Sequence, residues 1–174
     1  RLRRPGDRQD ADMTLPDPNF WRGKRVLVTG HTGFKGAWLS LWLTRMGALV
    51  TGLALPPEDA RGIYSAANLK AQITPVTGNI RDASFMRQCI RLMRPHVVFH
   101  LAAQSLVRRA HADPATTYET NVLGTAKLLE ECRRFPFVRA VVVVTSDKVY
   151  ANIDRKSTRL NSSHTDISRM PSSA

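Results

Sequence analysis

Two short stretches of this sequence carry groups that could do chemistry. Ser146-Asp147-Lys148 sets a hydroxyl, a carboxyl and an amine side by side. Such a set suits acid-base work: Asp147 donates a proton if burial raises its pKa, and Lys148 accepts one if burial or a neighbouring cation lowers its own. The same residues also suit a plain polar turn, with Asp147 capping a helix and Lys148 in solvent. The second stretch is Gly30-His31-Thr32-Gly33-Phe34-Lys35-Gly36. Its glycines are spaced GxxGxxG, a variant of the GxGxxG turn that binds dinucleotides. Gly30 suits a tight turn, Gly33 the approach of a diphosphate to the backbone, and Gly36 close packing of the following helix. Amides at the start of that helix would face the phosphates. An ordinary strand-to-helix turn is the alternative.

The elements around these groups follow from hydrophobic pattern. Val26, Leu27 and Val28 form an apolar run without alternation, as in a parallel strand buried on both faces. Phe34, Trp38, Leu41, Trp42 and Met46 recur at helical spacing and predict a helix with a wide apolar face turned to the core. Gly47 stops it. A second strand spans 49–55 and ends at Pro56-Pro57. A short helix over 60–69, a third strand over 73–76, a helix over 83–93 and a fourth strand over 97–101 follow. The clearest part of the next helix is 118–134, and a fifth strand over 140–144 runs into Ser146. Five buried-type strands alternating with helices predict an α/β fold, a doubly wound parallel sheet of Rossmann type.

Such sheets bind ligands at the carboxyl ends of their strands. Four exits have suitable character: the glycine turn, Asn79, the small Ala102-Ala103, and Ser146-Asp147-Lys148. Asn79 suits an adenine edge, while Asp82 capping the next helix is the plainer use of that turn. His100 lies within an apolar strand and is expected to be a satisfied core histidine. Asn121 is expected to tie neighbouring strand backbones together. The second strand's end normally carries the acid that holds the adenosine ribose. Here it carries Leu55-Pro56-Pro57, with Glu58, Asp59 and Arg61 close behind, so NAD and NADP are not distinguished.

Length and composition set the frame. A chain of 174 residues, 43% hydrophobic and 23% charged, fits one soluble domain. Its longest apolar runs are strand-sized, which excludes a membrane span, and Arg1-Leu-Arg-Arg lacks the apolar segment of a secretory signal. Cys89 and Cys132 stand far apart without metal-type spacing, so buried thiols of a cytoplasmic protein, and no metal, are expected. The net charge of +12 is dispersed: 18 basic and 9 acidic side chains lie between the two polar ends. No aromatic residues interleave with them, which points to a general attraction for anions and away from nucleic acid.

On these residues the chain resembles the extended short-chain dehydrogenase/reductases, and within them the CDP-glucose 4,6-dehydratases, from about Asp17 to Tyr150. The elements that carry the resemblance are Asn19-Phe-Trp-Arg-Gly-Lys-Arg-Val, Gly30-His-Thr-Gly-Phe-Lys-Gly-Ala-Trp-Leu-Ser, Gly78-Asn-Ile-Arg-Asp82, His100-Leu-Ala-Ala-Gln-Ser-Leu-Val-Arg108, Thr120-Asn-Val-Leu-Gly-Thr125 and Thr145-Ser-Asp-Lys-Val-Tyr150. It implies an NAD-dependent dehydration of a nucleotide-sugar, with the cofactor regenerated in each cycle. Implied cofactor contacts are Gly30, Thr32, Gly33, Phe34, Lys35, Gly36, Asn79, Ile80, Leu101, Ala102, Ala103, Gln104, Asn121 and Thr145. Ser105 and Arg108 would meet the substrate. By the same resemblance Lys148 is the base, Asp147 the acid, and Ser146 a partner of the sugar's carbon-4 hydroxyl.

The sequence also departs from that family. Pro56 and Asn79 stand where relatives often carry aspartate. No Tyr-x-x-x-Lys pair follows the fifth strand, since Tyr150 is followed at the fourth position by Asp154. Residues 154–174 are polar and aperiodic. The organisation expected is a leader over 1–12 ahead of a natural start at Met13, an incomplete dinucleotide-binding domain over 13–152, and an unrelated tail over 153–174. The chain would then be the cofactor-binding portion of a dehydratase whose substrate domain is missing, inactive alone and poorly soluble through an unpaired sheet edge. Alternatives are another epimerase, dehydratase or reductase of the superfamily, which Lys148 opposes, and a non-catalytic dinucleotide-binding module. Self-association is expected through the 105–134 region.

Overall fold

A computed structural model describes residues 16–145, so the expected leader and Ser146, Asp147 and Lys148 lie outside the described residues. The described residues up to Val144 form one compact unit. Its strands are β1 (Arg25–Thr29), β2 (Leu49–Ala54), β3 (Thr74–Thr77), β4 (Val97–His100) and β5 (Ala140–Val143). They form a single sheet in the order β3-β2-β1-β4-β5, and its pairings are all parallel, as the pattern of apolar runs predicts. The helices are α1 (Pro18–Trp21), α2 (Phe34–Arg45), α3 (Ile63–Ala66), α4 (Ala83–Met93), α5 (Val107–Ala112), α6 (Pro114–Tyr118) and α7 (Thr125–Arg133). A π-helical stretch, Glu119–Gly124, joins α6 to α7.

The lack of alternation in β1 has the expected cause, because both faces are covered. Val26 and Val28 pack with Leu43, Met46 and Val50 on the side of α2, with Trp21 against them. Leu27 packs on the opposite side with Ile90, Val98, Leu128 and Cys132, under α4 and α7. Each fully buried side chain of this kind contributes about 1.5–3 kcal/mol. Both thiols are free and buried, and burial pushes Cys132 up to about 11, which keeps it unreactive. Asp82 caps α4 by accepting from the Phe85 amide at 3.0 Å.

The edge strands β3 and β5 have no buried residue, so only the inner strands are of the buried type expected of all five; two further expectations fail. The aromatic residues of α2 do not face the core: Phe34, Trp38 and Trp42 are 74%, 50% and 51% exposed. The buried face is Gly36, Ala37, Ser40 and Leu43. Small residues there let the helix sit close to the sheet, and the Ser40 hydroxyl donates to Gly36 O at 2.7 Å. The spacing was helical, but size selected the inner face. The second failure is the helix over 60–69, which contracts to the single turn of α3 and a 3-10 turn at Leu69–Ala71. Asn68 between them adopts φ 46°, a left-handed conformation that breaks the helix.

Candidate dinucleotide site

Between β1 and β4 the order of strands reverses, which opens a crevice at their carboxyl ends. The glycine turn leaves β1 there. Gly30 has φ +75°, and a Cβ on it would lie 2.8 Å from the Ala102 amide nitrogen. A glycine is therefore required both by conformation and by contact with the exit of β4. Thr29 fixes that contact. Its hydroxyl oxygen accepts from the amides of Leu101 (3.2 Å) and Ala102 (3.1 Å), and its carbonyl also takes the Leu101 amide at 3.2 Å.

The Thr29 hydroxyl proton goes to His100 Nδ1, 2.7 Å away. The other ring nitrogen, Nε2, stands 2.9 Å from the Thr125 hydroxyl, which itself donates to Asn121 O at 2.8 Å. That hydroxyl has one proton, so Nε2–H must be the donor and His100 is the neutral Nε2 tautomer. Burial, which lowers its pKa, agrees. His100 is thus the satisfied core histidine expected.

Gly36 meets Gly30 from the helix side, where a Cβ would fall 2.1 Å from Gly30 O. Gly33 differs, since its backbone is extended (φ −78°, ψ 167°) and a Cβ would touch only Gly30 O at 3.4 Å. It is exposed and caps α2 without a side-chain hydrogen bond. The first amides of α2, at Phe34, Lys35 and Gly36, are left for an external acceptor. Space over Gly33 and uncapped amides beside it suit a diphosphate.

The same turn is strapped to β2. Gly30 donates to Leu53 O at 2.8 Å, and the Thr32 hydroxyl to Leu55 O at 3.0 Å. Between them the His31 ring, 2% exposed, fills the space over Gly52, whose Cβ would lie 2.3 Å from His31 Cγ. Tyr64 closes over it edge-on, with centroids 5.3 Å apart. His31 Nδ1 is buried without a hydrogen-bond partner among the described residues, and burial lowers the ring's pKa.

Asn121 acts differently from the expected tie between strands. Its Oδ1 accepts from the Gln104 amide at 2.7 Å and its Nδ2 donates to Gln104 O at 2.8 Å. It holds the segment after β4 against the π-helical stretch, whose wide turn presents the side chain. Asn79 bonds within its own turn, accepting from the Arg81 amide at 3.0 Å, and Ile80 packs on Gly124. Ala103, Ser105 and Arg108 are exposed after β4, as are Phe34 and Lys35 at the start of α2. The fold thus brings Gly30, Thr32, Gly33, Gly36, Leu101, Ala102 and Gln104 to one end of the sheet. Thr145 is exposed and is the last of the described residues. Sequence reasoning missed Thr29 and His31. A polar β-branched residue closing an apolar strand signals the first, and nothing in sequence pairs His31 with Gly52.

A family model described as GDP-mannose 4,6 dehydratase matches residues 27–166. CDP-glucose 4,6-dehydratase of Salmonella typhimurium is 50% identical over 136 residues, covering 78% of this chain and 38% of that protein. UDP-glucuronate 4-epimerase 3 of Arabidopsis thaliana is 33% identical, over 74% of this chain and 31% of its own length. Among solved structures, the epimerase Mth375 of Methanothermobacter thermautotrophicus superposes with TM-score 0.67 at 28% identity, covering 79% and 40% of the two chains. UDP-glucose 4-epimerase of Brucella ovis in complex with NAD gives 0.63 at 28%, covering 77% and 39%. The chain therefore spans two fifths or less of the length of each of these relatives.

Proposed function

Given that the chain belongs to the nucleotide-sugar 4,6-dehydratase/epimerase family of the short-chain dehydrogenase/reductases, we propose that it is the cofactor-binding portion of an NAD-dependent CDP-glucose 4,6-dehydratase. The observation that carries the cofactor is the open, uncapped start of α2 above Gly33, beside the exit of β4 held by Thr29. A ligand with a diphosphate meets amides there that no side chain caps. The 50% identity to the Salmonella enzyme favours dehydration of CDP-glucose over epimerisation.

In this reading the amides of Phe34, Lys35 and Gly36 hold the diphosphate, and the small Ala102 and Ala103 leave room for the rest of the dinucleotide. Asn79 and Ile80 line its adenine end, and Asn121, Gln104 and Thr145 its other end. NAD held by these residues would supply the hydride acceptor for carbon 4 of the sugar and, once reduced, the hydride donor for carbon 6. Lys148 takes the proton from carbon 5, Asp147 gives one to the departing hydroxyl of carbon 6, and Ser146 orients the carbon-4 hydroxyl; Ser105 and Arg108 contact the nucleotide-sugar. Lys148 must be uncharged for this role. Self-association through the 105–134 region is part of the reading, supported by the exposed Tyr118, Val122 and Leu129.

Calorimetric titration of the 174-residue chain with NAD+, followed by incubation with CDP-glucose and mass spectrometry, tests both levels. Binding of NAD+ with loss of one water from CDP-glucose supports the full reading. Binding without turnover leaves a dinucleotide-binding module. Absence of binding sinks the proposal.

A further inference from the structure

We infer that Glu58 is the residue that reads the adenosine ribose, and that Arg109 holds it over the crevice to do so. This deepens the cofactor reading above and rests on it. In parallel sheets of this kind an acid at the end of the second strand accepts from the ribose hydroxyls and repels a ribose phosphate. Here β2 ends at Ala54, and Leu55, Pro56 and Pro57 follow, which offer no carboxylate.

Two carboxylates come next, and they behave differently. Asp59 turns back into its own loop, accepting from the Arg61 amide at 2.8 Å. Its side chain is occupied locally. Glu58 instead reaches across the sheet. Both its oxygens accept from Arg109 of α5, with Nη1–Oε1 at 2.6 Å and Nη2–Oε2 at 3.2 Å.

Topology says what lies between the two. Glu58 follows β2, and Arg109 follows β4. These strands flank β1 on either side and run parallel to it. A bond from one exit to the other must therefore pass over the exit of β1, which is the glycine turn. The turn is tied to the Glu58 side by Thr32 to Leu55 O and to the Arg109 side through Thr29 and Ala102. The bidentate pair thus draws a carboxylate back from beyond the two prolines to a place above the phosphate turn. Because Arg109 is already paired, its charge is not free to welcome a second phosphate, while Glu58 keeps lone pairs for two hydroxyls.

The test is calorimetric titration of the 174-residue chain with NAD+ and NADP+ in parallel. The unmodified chain is expected to bind NAD+ more tightly. Glu58→Gln is expected to shift the NADP+/NAD+ affinity ratio by about tenfold or more toward NADP+. Asp59→Asn is expected to leave the ratio within about twofold, since that carboxylate serves its own loop. Arg109→Gln, which frees the carboxylate, is expected to lower NAD+ affinity by about two- to fivefold. Melting curves of each variant confirm that it is folded, and Glu58→Ala replaces Glu58→Gln if the latter is not. Tighter binding of NADP+ by the unmodified chain overturns the inference. So does an unchanged ratio in Glu58→Gln, or an equal shift in Asp59→Asn. In those cases NAD+ binding itself still stands, whereas failure of both dinucleotides to bind removes the cofactor reading and this inference with it.

Discussion

Three glycines in one motif should respond to alanine in two opposite ways, and the division follows from where each Cβ would go. At Gly30 alanine must adopt φ +75°, which costs about 1–2 kcal/mol for an L residue, and its methyl meets backbone of Leu101 and Ala102 at 2.8–2.9 Å. Backbone cannot rotate aside as a side chain can, so an overpacking cost of about 1–3 kcal/mol adds to it. At Gly36 the methyl would sit 2.1 Å from Gly30 O, again backbone, and α2 must lift from the turn. Gly33 has neither problem. Its φ is −78° and its nearest neighbour is 3.4 Å away, so Gly33→Ala should hold or gain about 0.4–1 kcal/mol through a less flexible unfolded chain. Its methyl stands where a diphosphate would approach, and each lost hydrogen bond to a charged acceptor costs about 1.5–3 kcal/mol. NAD+ affinity should fall by at least about tenfold. Thermal melts with and without NAD+ separate the cases. Gly30→Ala and Gly36→Ala should melt lower, at about 2–4 °C per kcal/mol, while Gly33→Ala melts as before and loses the upward shift given by NAD+. If Gly33→Ala melts as low as Gly30→Ala, or binds NAD+ as tightly as the unmodified chain, the assignment of the three roles is wrong.

Gly52→Ala should destabilise by about 1–3 kcal/mol, because its methyl would overlap the buried His31 ring. His31→Ala in the same chain should recover part of that loss, and simple additivity in urea melts would refute the contact. Acidification should weaken the fold through His31 and His100. Both are buried with pKa values lowered from 6.5, so the unfolded chain takes up protons first and stability falls as pH drops below about 6.5. Equilibrium unfolding between pH 8 and pH 5 measures the slope, which should flatten in His100→Asn; a flat profile in the unmodified chain would contradict the burial of both rings. Arg87→Ala should lower the melting temperature. It removes the bidentate partner, at 2.7 and 2.9 Å, of Glu131, a carboxylate 3% exposed between α4 and α7. Glu131→Gln in that background should restore part of the loss, since the buried group is then neutral.

Much of this fold is legible because β1, β2 and β4 are central parallel strands, and burial on both faces leaves them as short apolar runs without alternation. Val26-Leu27-Val28 could only be an inner strand. The helix after it was harder, because helical spacing fixes which residues share a face without saying which face is turned inward. Phe34, Trp38 and Trp42 outweigh Gly36, Ala37 and Ser40 in apolar area, yet the distance between helix and sheet is set by the smaller set, through the approach of Gly36 to Gly30 O. The glycine motif therefore decides the orientation of the whole helix, and the aromatic residues follow to the outside.

The same distinction separates the parts of the site that sequence could supply from those it could not. Gly30, Gly33 and Ala102 announce themselves by small size at strand exits, since backbone must come close there. Contacts across the sheet carry no such signature. Thr29 to Ala102, His31 over Gly52 and Glu58 to Arg109 join residues 73, 21 and 51 positions apart, and only the strand order brings them together. That order also ranks their consequences. The first two contacts lie beneath the crevice, so their loss should appear as instability. The third passes above it, between two exposed side chains whose pairing adds little to folding, so its loss should appear in the choice of ligand.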